Sequence, residues 1–234
     1  DLQPWLTMDY GPHLSGTYEV GSGGRNIAYK GIAVRLDAGP GGVARGQAWM
    51  LYDHDTLRLA GAWTGQGFID WQGISFDGQH GVHPHVVGQV HVDGEPGPGW
   101  AEPATGSFDD PRIVGRDGKR YGPMPREWGR LTGIHHQGDR VILAYRVGHT
   151  PVLELPGLEF AAQGQPVFTR TLEVGPGHEE LVVRLGPATA SLAVVGLSGE
   201  NDGPHSGPYK EGEHWLLKLP AREGSRNDGS AMQG

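Results

Sequence analysis

The densest group of potential ligands in the chain is His80-Gly81-Val82-His83-Pro84-His85, followed by His91 and preceded by Asp70 and Asp77. Residues two apart on an extended strand point to the same side, so His83 and His85 can share a transition metal, with His80 or His91 as further imidazole donors. Pro84 places the pair at an edge or in a loop rather than in a central strand. Neither a carboxylate nor a further His stands at a spacing that compels a site, and the pattern favours polar loop residues bonded to backbone over a metal site.

A second chemistry is suggested by the indoles. Seven Trp residues include Trp63 and Trp71, joined by Thr64-Gly65-Gln66-Gly67-Phe68-Ile69-Asp70. Indole faces stack on the C–H faces of sugars and a nearby carboxylate accepts from hydroxyls, so Trp63, Asp70 and Trp71 are candidates for a carbohydrate platform across a Gly-broken turn. Trp in an all-β protein more often serves the core, and the Ile69 and Ile74 flanks favour that role for Trp71.

Further candidates are weaker. His135 and His136 are adjacent, so on a strand at most one of them enters a site. Asp109 and Asp110, with Arg112, Arg116, Asp117 and Arg120, suit a sugar or calcium site or an ion-paired surface loop. The twelve-residue calcium loop of helix-loop-helix proteins is absent, as are the Gly-x-Ser-x-Gly elbow, the phosphate loop and the dinucleotide fingerprint, which disfavours nucleophilic and phosphoryl-transfer enzymes. The chain has no Cys, so disulfides, thiolate metal ligands, a Cys nucleophile and covalent haem attachment are excluded.

Whatever chemistry these residues perform, strands must position them. No Gly- and Pro-free window carries apolar residues at helical spacing, whereas alternation is clear in Ile32-Val34-Leu36, Val141-Leu143-Tyr145-Val147, Phe168-Leu172-Val174 and Trp215-Leu217-Leu219. Turn clusters such as Gly39-Pro40-Gly41-Gly42, Pro96-Gly97-Pro98-Gly99 and Gly175-Pro176-Gly177 separate them. About a dozen short strands without crossover helices predict an all-β fold, an antiparallel β-sandwich-like single domain; a propeller-like stack or two stacked β subdomains is the alternative.

The clearest unit is the hairpin 47–63, whose strands flank the turn Asp53-His54-Asp55-Thr56. Residues 26–76 and 128–185 share a loose order of strand, strand, polar turn, strand, which suggests a weak internal duplication. The expected domain spans 1–220, with 221–234 as a linker or tail. The long Gly-, Pro- and Asp-rich stretch 95–127 is expected to be functional or packed over an edge.

The 41 Gly and 18 Pro residues are offset by 19 large aromatics (7 Trp, 7 Tyr, 5 Phe), which argues against disorder. A net charge of -8 with no Lys/Arg run gives no footprint for nucleic acid or an anionic membrane. Nothing approaches the roughly 18 to 20 consecutive apolar residues of a membrane span. A start at Asp1 matches a mature exported protein, so a periplasmic or extracellular setting is expected.

Several stretches together carry a family likeness: Met8-Asp9-Tyr10-Gly11-Pro12, the run from Asn26 to Leu36, Trp63-Thr64-Gly65 with Phe68-Ile69-Asp70, Phe76-Asp77-Gly78, Tyr121-Gly122-Pro123-Met124-Pro125-Arg126, and Gly138-Asp139-Arg140-Val141. Over most of residues 8 to 220 the chain resembles an uncharacterised domain on the N-terminal side of large exported bacterial proteins that carry c-type cytochrome modules. The resemblance implies a part in extracellular redox breakdown of carbohydrates, beside dehydrogenase-like propellers and haem domains. It implies no catalytic residue, and the missing Cys-x-x-Cys-His means that this chain cannot bind haem covalently.

The expected function is therefore a non-catalytic binding or organising module of an exported bacterial redox or carbohydrate-degrading system. Its expected partners are a carbohydrate and other domains or subunits of a larger protein. A His-dependent metalloenzyme or lyase-like enzyme acting on a polysaccharide is the alternative, and a structural subunit of an assembly the third.

Overall fold

Apolar alternation becomes strand throughout the computed structural model, which describes residues 4–6, 8–72, 83–195 and 207–222. The fold is all-β, as expected, with sandwich-like antiparallel sheets, no closed barrel and, among the described residues, only three short 3-10 turns as helix. No helix among them is long and apolar enough to cross a membrane.

The first sheet is a five-stranded meander of β1 (His13–Val20), β2 (Asn26–Arg35), β3 (Ala48–Asp53), β4 (Arg58–Thr64) and β5 (Gln89–Asp93), paired in chain order. A two-stranded ribbon, β6 (Ile113–Val114) and β7 (Arg120–Tyr121), interrupts the long loop. The second sheet contains β8 (Gly129–Gln137), β9 (Arg140–Val147), β10 (Thr150–Phe160) and β11 (Pro166–Val174), again paired in chain order. The third contains β12 (Leu181–Pro187), β13 (Tyr209–Glu211) and β14 (His214–Leu219), with β14 in the middle. The stretches 26–76 and 128–185 thus contribute to different sheets.

Both faces of the first sheet are buried, and its central strand shows why. Alternate residues on a strand face opposite sides. Met50 and Tyr52 of β3 join Ile32 and Val34 in a core shared with Val141, Leu143, Tyr145 and Val147 of β9, Val183 of β12 and Leu217 of β14. Trp49 and Leu51 point the other way, into a second core with Tyr18, Val20, Trp63 and Phe68. The unbroken apolar run 48–52 is therefore a strand covered on both sides. The long loop 95–127 packs inward through Trp100 and Met124, both almost fully buried.

Tight backbone contacts set the edge at β5. A Cβ on Gly94 would lie 2.4 Å from the Leu59 carbonyl oxygen, so only glycine lets the chain leave β5 against the β4 backbone. The hairpin of β8 and β9 turns at Gly138, whose φ of 61° is in the left-handed region.

Edge strands β1 and β8 are joined by a ring-to-ring contact: His136 Nε2 and His13 Nδ1 lie 2.9 Å apart. Burial, and secondarily the proximity of His136, lowers the His13 pKa below its ordinary value near 6.5. The unfolded chain therefore binds more protons just below pH 6.5, and His13 makes stability fall as pH drops through 6.5 towards its folded pKa. Thermal unfolding at pH 7.5 and 5.5 is expected to show a smaller acid-side loss in His13→Gln than in the unmodified protein. Equal losses would contradict this assignment.

Candidate functional site

The residues singled out in the sequence are dispersed. Trp63 is wholly buried, stacks on Trp49 at 5.5 Å and donates from Nε1 to the Phe68 carbonyl at 3.1 Å. The reason is register: Trp63 of β4 pairs directly with Trp49 of β3, on the face that carries the second core. A sugar cannot reach its indole face, so the platform of Trp63, Asp70 and Trp71 is not formed. Trp71, expected in the core, is half-buried at the margin of that core and lies parallel to Tyr10 at 6.1 Å. Exposed Asp70 accepts from the Gln72 backbone N–H through Oδ1, and its own N–H donates to the His85 carbonyl.

The histidines also part company. His83 lies edge-on to Tyr29 at 5.8 Å, and His85 sits in a backbone bridge beside Glu19, with Nδ1 3.6 Å from the Glu19 carboxylate. His91 Nε2 is 2.8 Å from the Thr64 hydroxyl, and its ring leans on Phe168. His80 lies outside the described residues. Among the described residues, no three His, Asp or Glu side chains are grouped so as to hold a metal. In the long loop, Asp110 receives Arg112 through both carboxylate oxygens, and Asp117 accepts from the Tyr121 hydroxyl at 2.6 Å.

Of the described residues that the sequence singled out, His91 borders a cleft. That cleft, of about 280 Å³, opens between the β5 edge and the third sheet, and is lined by Val90, His91, Asp93, Glu95, Thr189 and Glu213 among others. A narrow recess of about 10 Å³ adjoins it, sharing Glu95 and Pro187 and reaching Arg58, Arg184 and His214.

The acidic side of the cleft is held from behind. Arg25 pairs with Asp93 and donates to Glu95 at 2.7 Å, while Asn26 donates to Asp93 at 2.8 Å. Arg58 is buried, and its terminal nitrogens donate to Asn26 Oδ1 and to the Ile27, Gly94 and Glu95 carbonyls. It fixes the Gly94-Glu95 turn that presents the carboxylates. Glu213 projects exposed from the turn into β14.

In the recess Arg58, Arg184 and His214 stand beside Glu95. The Arg184 guanidinium lies over the Phe108 ring at 4.7 Å, and its Nε is buried without a hydrogen-bond partner. His214 Nε2 is likewise buried and unpartnered. Burial lowers the pKa of both groups, and the second cause is a neighbouring cation: Arg58 for Arg184, and Arg184 for His214. Burial also lowers His91. At neutral pH both imidazoles are thus uncharged, while Arg184 keeps its charge, as guanidinium groups do in proteins. The site offers carboxylate acceptors along one wall and, at its inner end, a buried Arg184 Nε–H and a buried His214 ring nitrogen without partners.

Asp93, Glu95, Arg184, Glu213 and His214 escaped sequence reasoning. One local signal was present: His91, Asp93 and Glu95 stand two apart, the spacing that brings side chains to one side of an extended chain. Arg184, Glu213 and His214 arrive from strands far along the chain and have no such signal.

A family model described as a Domain of unknown function (DUF6797) matches residues 50–154, from within β3 to within β10. It covers the β5 wall of the cleft but not Arg184, Glu213 or His214, and its description states no activity and mentions no cytochrome module. No curated protein and no solved structure matches the chain.

Proposed function

We propose that the chain is a non-catalytic binding module of an exported bacterial redox or carbohydrate-degrading system, and that it binds a carbohydrate in the cleft between β5 and the third sheet. The observation that carries this proposal is the lining itself. Asp93, Glu95 and Glu213 are acceptors for sugar hydroxyls, and His91, held neutral by burial, adds an uncharged polar edge. The volume of about 280 Å³ lies just below the range of small-ligand sites, about 300 to 1,000 Å³, and suits one sugar unit of a longer glycan. The resemblance to domains of exported cytochrome-containing proteins supports a periplasmic or extracellular setting and further domains or subunits as partners.

Calorimetric titration against neutral and acidic oligosaccharides tests the proposal. Glu213→Gln keeps the shape but weakens an acceptor on an exposed turn, so it is expected to reduce affinity about tenfold with little change in unfolding temperature. If Glu213→Gln and Thr189→Trp, which fills the cleft, both bind as the unmodified protein does, the ligand sits elsewhere.

A His-dependent, lyase-like enzyme is the second reading, favoured by one observation: neutral His91 stands beside carboxylates in an open cleft. Unsaturated products from a polysaccharide, lost in His91→Ala, would support it.

A further inference from the structure

We propose that Arg184 and His214 form a subsite for a ligand carboxylate, so that the sugar bound in the adjoining cleft is a uronate. This deepens the carbohydrate proposal and rests on it for the identity of the remaining ligand. The unmet donors come first. Most buried polar groups are hydrogen-bonded, yet Arg184 Nε and His214 Nε2 have no partner among the described residues. Both belong to the same small recess. An Arg184 N–H without an acceptor, beside an imidazole whose tautomer can present a second N–H, complements an acceptor-rich ligand group.

The recess sets the size of that group. About 10 Å³ is close to the smallest space that admits one water-sized atom, hence one carboxylate oxygen. The other oxygen and the sugar ring remain in the larger cleft, which shares Glu95 and Pro187 with the recess. A sulfate or phosphate ester with one oxygen in the recess would leave its other terminal oxygens in the larger cleft, against the carboxylates of Asp93 and Glu213.

The scaffold keeps the Arg184 plane in place. The ring of Phe108 lies against the guanidinium, and stacking of this kind preserves the flat fork that matches a carboxylate. Between Arg184 and Gly186 the pairing of β12 with β14 shifts register, and bulges of this type redirect side chains beside functional sites. Arg58 adds positive charge from behind while its terminal nitrogens are occupied by backbone carbonyls and Asn26. Asp93 and Glu213 oppose an anion at the outer wall and leave it to the hydroxyls, while Glu95 lines both spaces and is engaged by Arg25. Arg25 neutralises part of that opposing charge through Asp93 and Glu95.

Two measurements test the subsite. In the first, the Nε–H resonance of Arg184 is followed by NMR while galacturonate is added, with galactose as the uncharged control. The signal is expected to shift with galacturonate only; no shift, or equal shifts with both sugars, overturns the subsite. In the second, calorimetry compares an oligogalacturonate with its methyl ester. The unmodified protein is expected to favour the acid by roughly tenfold to a hundredfold, the range for a charge-assisted hydrogen-bonded contact. Arg184→Met is expected to bind acid and ester equally, and Arg184→Lys to keep part of the preference; thermal unfolding confirms that both variants fold. Equal binding of acid and ester by the unmodified protein overturns the subsite while leaving a carbohydrate cleft in place. A galacturonate-dependent Arg184 shift without binding of any oligosaccharide leaves the subsite and removes the glycan-binding proposal.

Discussion

Replacing Arg170 by Met is expected to lower stability by about 3 to 5 kcal/mol, the cost of leaving one member of a buried ion pair uncompensated. Glu154 of β10 is buried to 1 % exposure and receives Arg170 of β11 through both oxygens, at 2.6 and 3.1 Å. The Tyr145 hydroxyl of β9 donates to the same carboxylate at 2.6 Å. Arg170 also lies 6.0 Å from the centre of the Tyr52 ring, tying β3 of the first sheet to the pair across the core. Burial alone would raise the Glu154 pKa, but the charge and hydrogen bonds of Arg170, with the bond from Tyr145, outweigh it and hold the carboxyl below its ordinary value.

The sign of the pH dependence follows. With its folded pKa depressed, Glu154 contributes stability that is present above its unfolded pKa, about 4.3, and is lost as pH falls further. Without Arg170, burial raises the folded pKa instead, and a protonated Glu154 is then favoured in the folded state. The gap between Arg170→Met and the unmodified protein should therefore narrow as pH is lowered from 7 to 5. The double replacement Glu154→Leu with Arg170→Met removes both charges and should recover most of the loss, as apolar substitutes for buried ion pairs do. Denaturant unfolding of the cycle at both pH values decides the matter. A single Arg170→Met loss below about 1 kcal/mol, typical of an exposed pair, would show that the network is solvated.

The second large effect is expected at Trp63. Trp63→Ala removes a fully buried indole that packs against both Trp49 and Phe68 and should cost about 3 to 5 kcal/mol, as other large-to-small core changes do. For a domain of this size that corresponds to a fall of roughly 6 to 20 °C in unfolding temperature. Trp71→Ala, at the half-buried margin, should cost clearly less, and neither change should alter carbohydrate affinity. Differential scanning calorimetry beside the oligosaccharide titrations measures both quantities. Loss of binding in either variant at a temperature where it remains folded would restore the indoles as ligand contacts.

The contrast between these residues and the cleft shows what could be read from the chain before its fold was known. Alternation in Ile32-Val34, Val141-Leu143-Tyr145-Val147 and Phe168-Leu172-Val174 predicted strands with one face in a core, and those faces meet there. Trp63 could not be placed that way, because its burial depends on which β3 residue it pairs with. That register includes a shift between Leu51 and Tyr52 that no local pattern announces. His83 and His85 have the spacing of a shared ligand pair, yet tertiary contacts to Tyr29 and Glu19 give each a separate partner. The cleft was the least visible feature, since one wall follows β5 whereas Arg184, Glu213 and His214 come from the third sheet. Only His91 had a local sequence context that drew notice.

The most direct test of where this protein engages its ligand is an amide chemical-shift map recorded while an acidic oligosaccharide is added to isotopically labelled protein. The cleft predicts perturbations concentrated at 89–95, 184–189 and 213–214, with residues 63–71 and 83–85 unmoved. Shifts centred on Trp71 and Asp70, or on His83 and His85, with a silent β5 edge would contradict it.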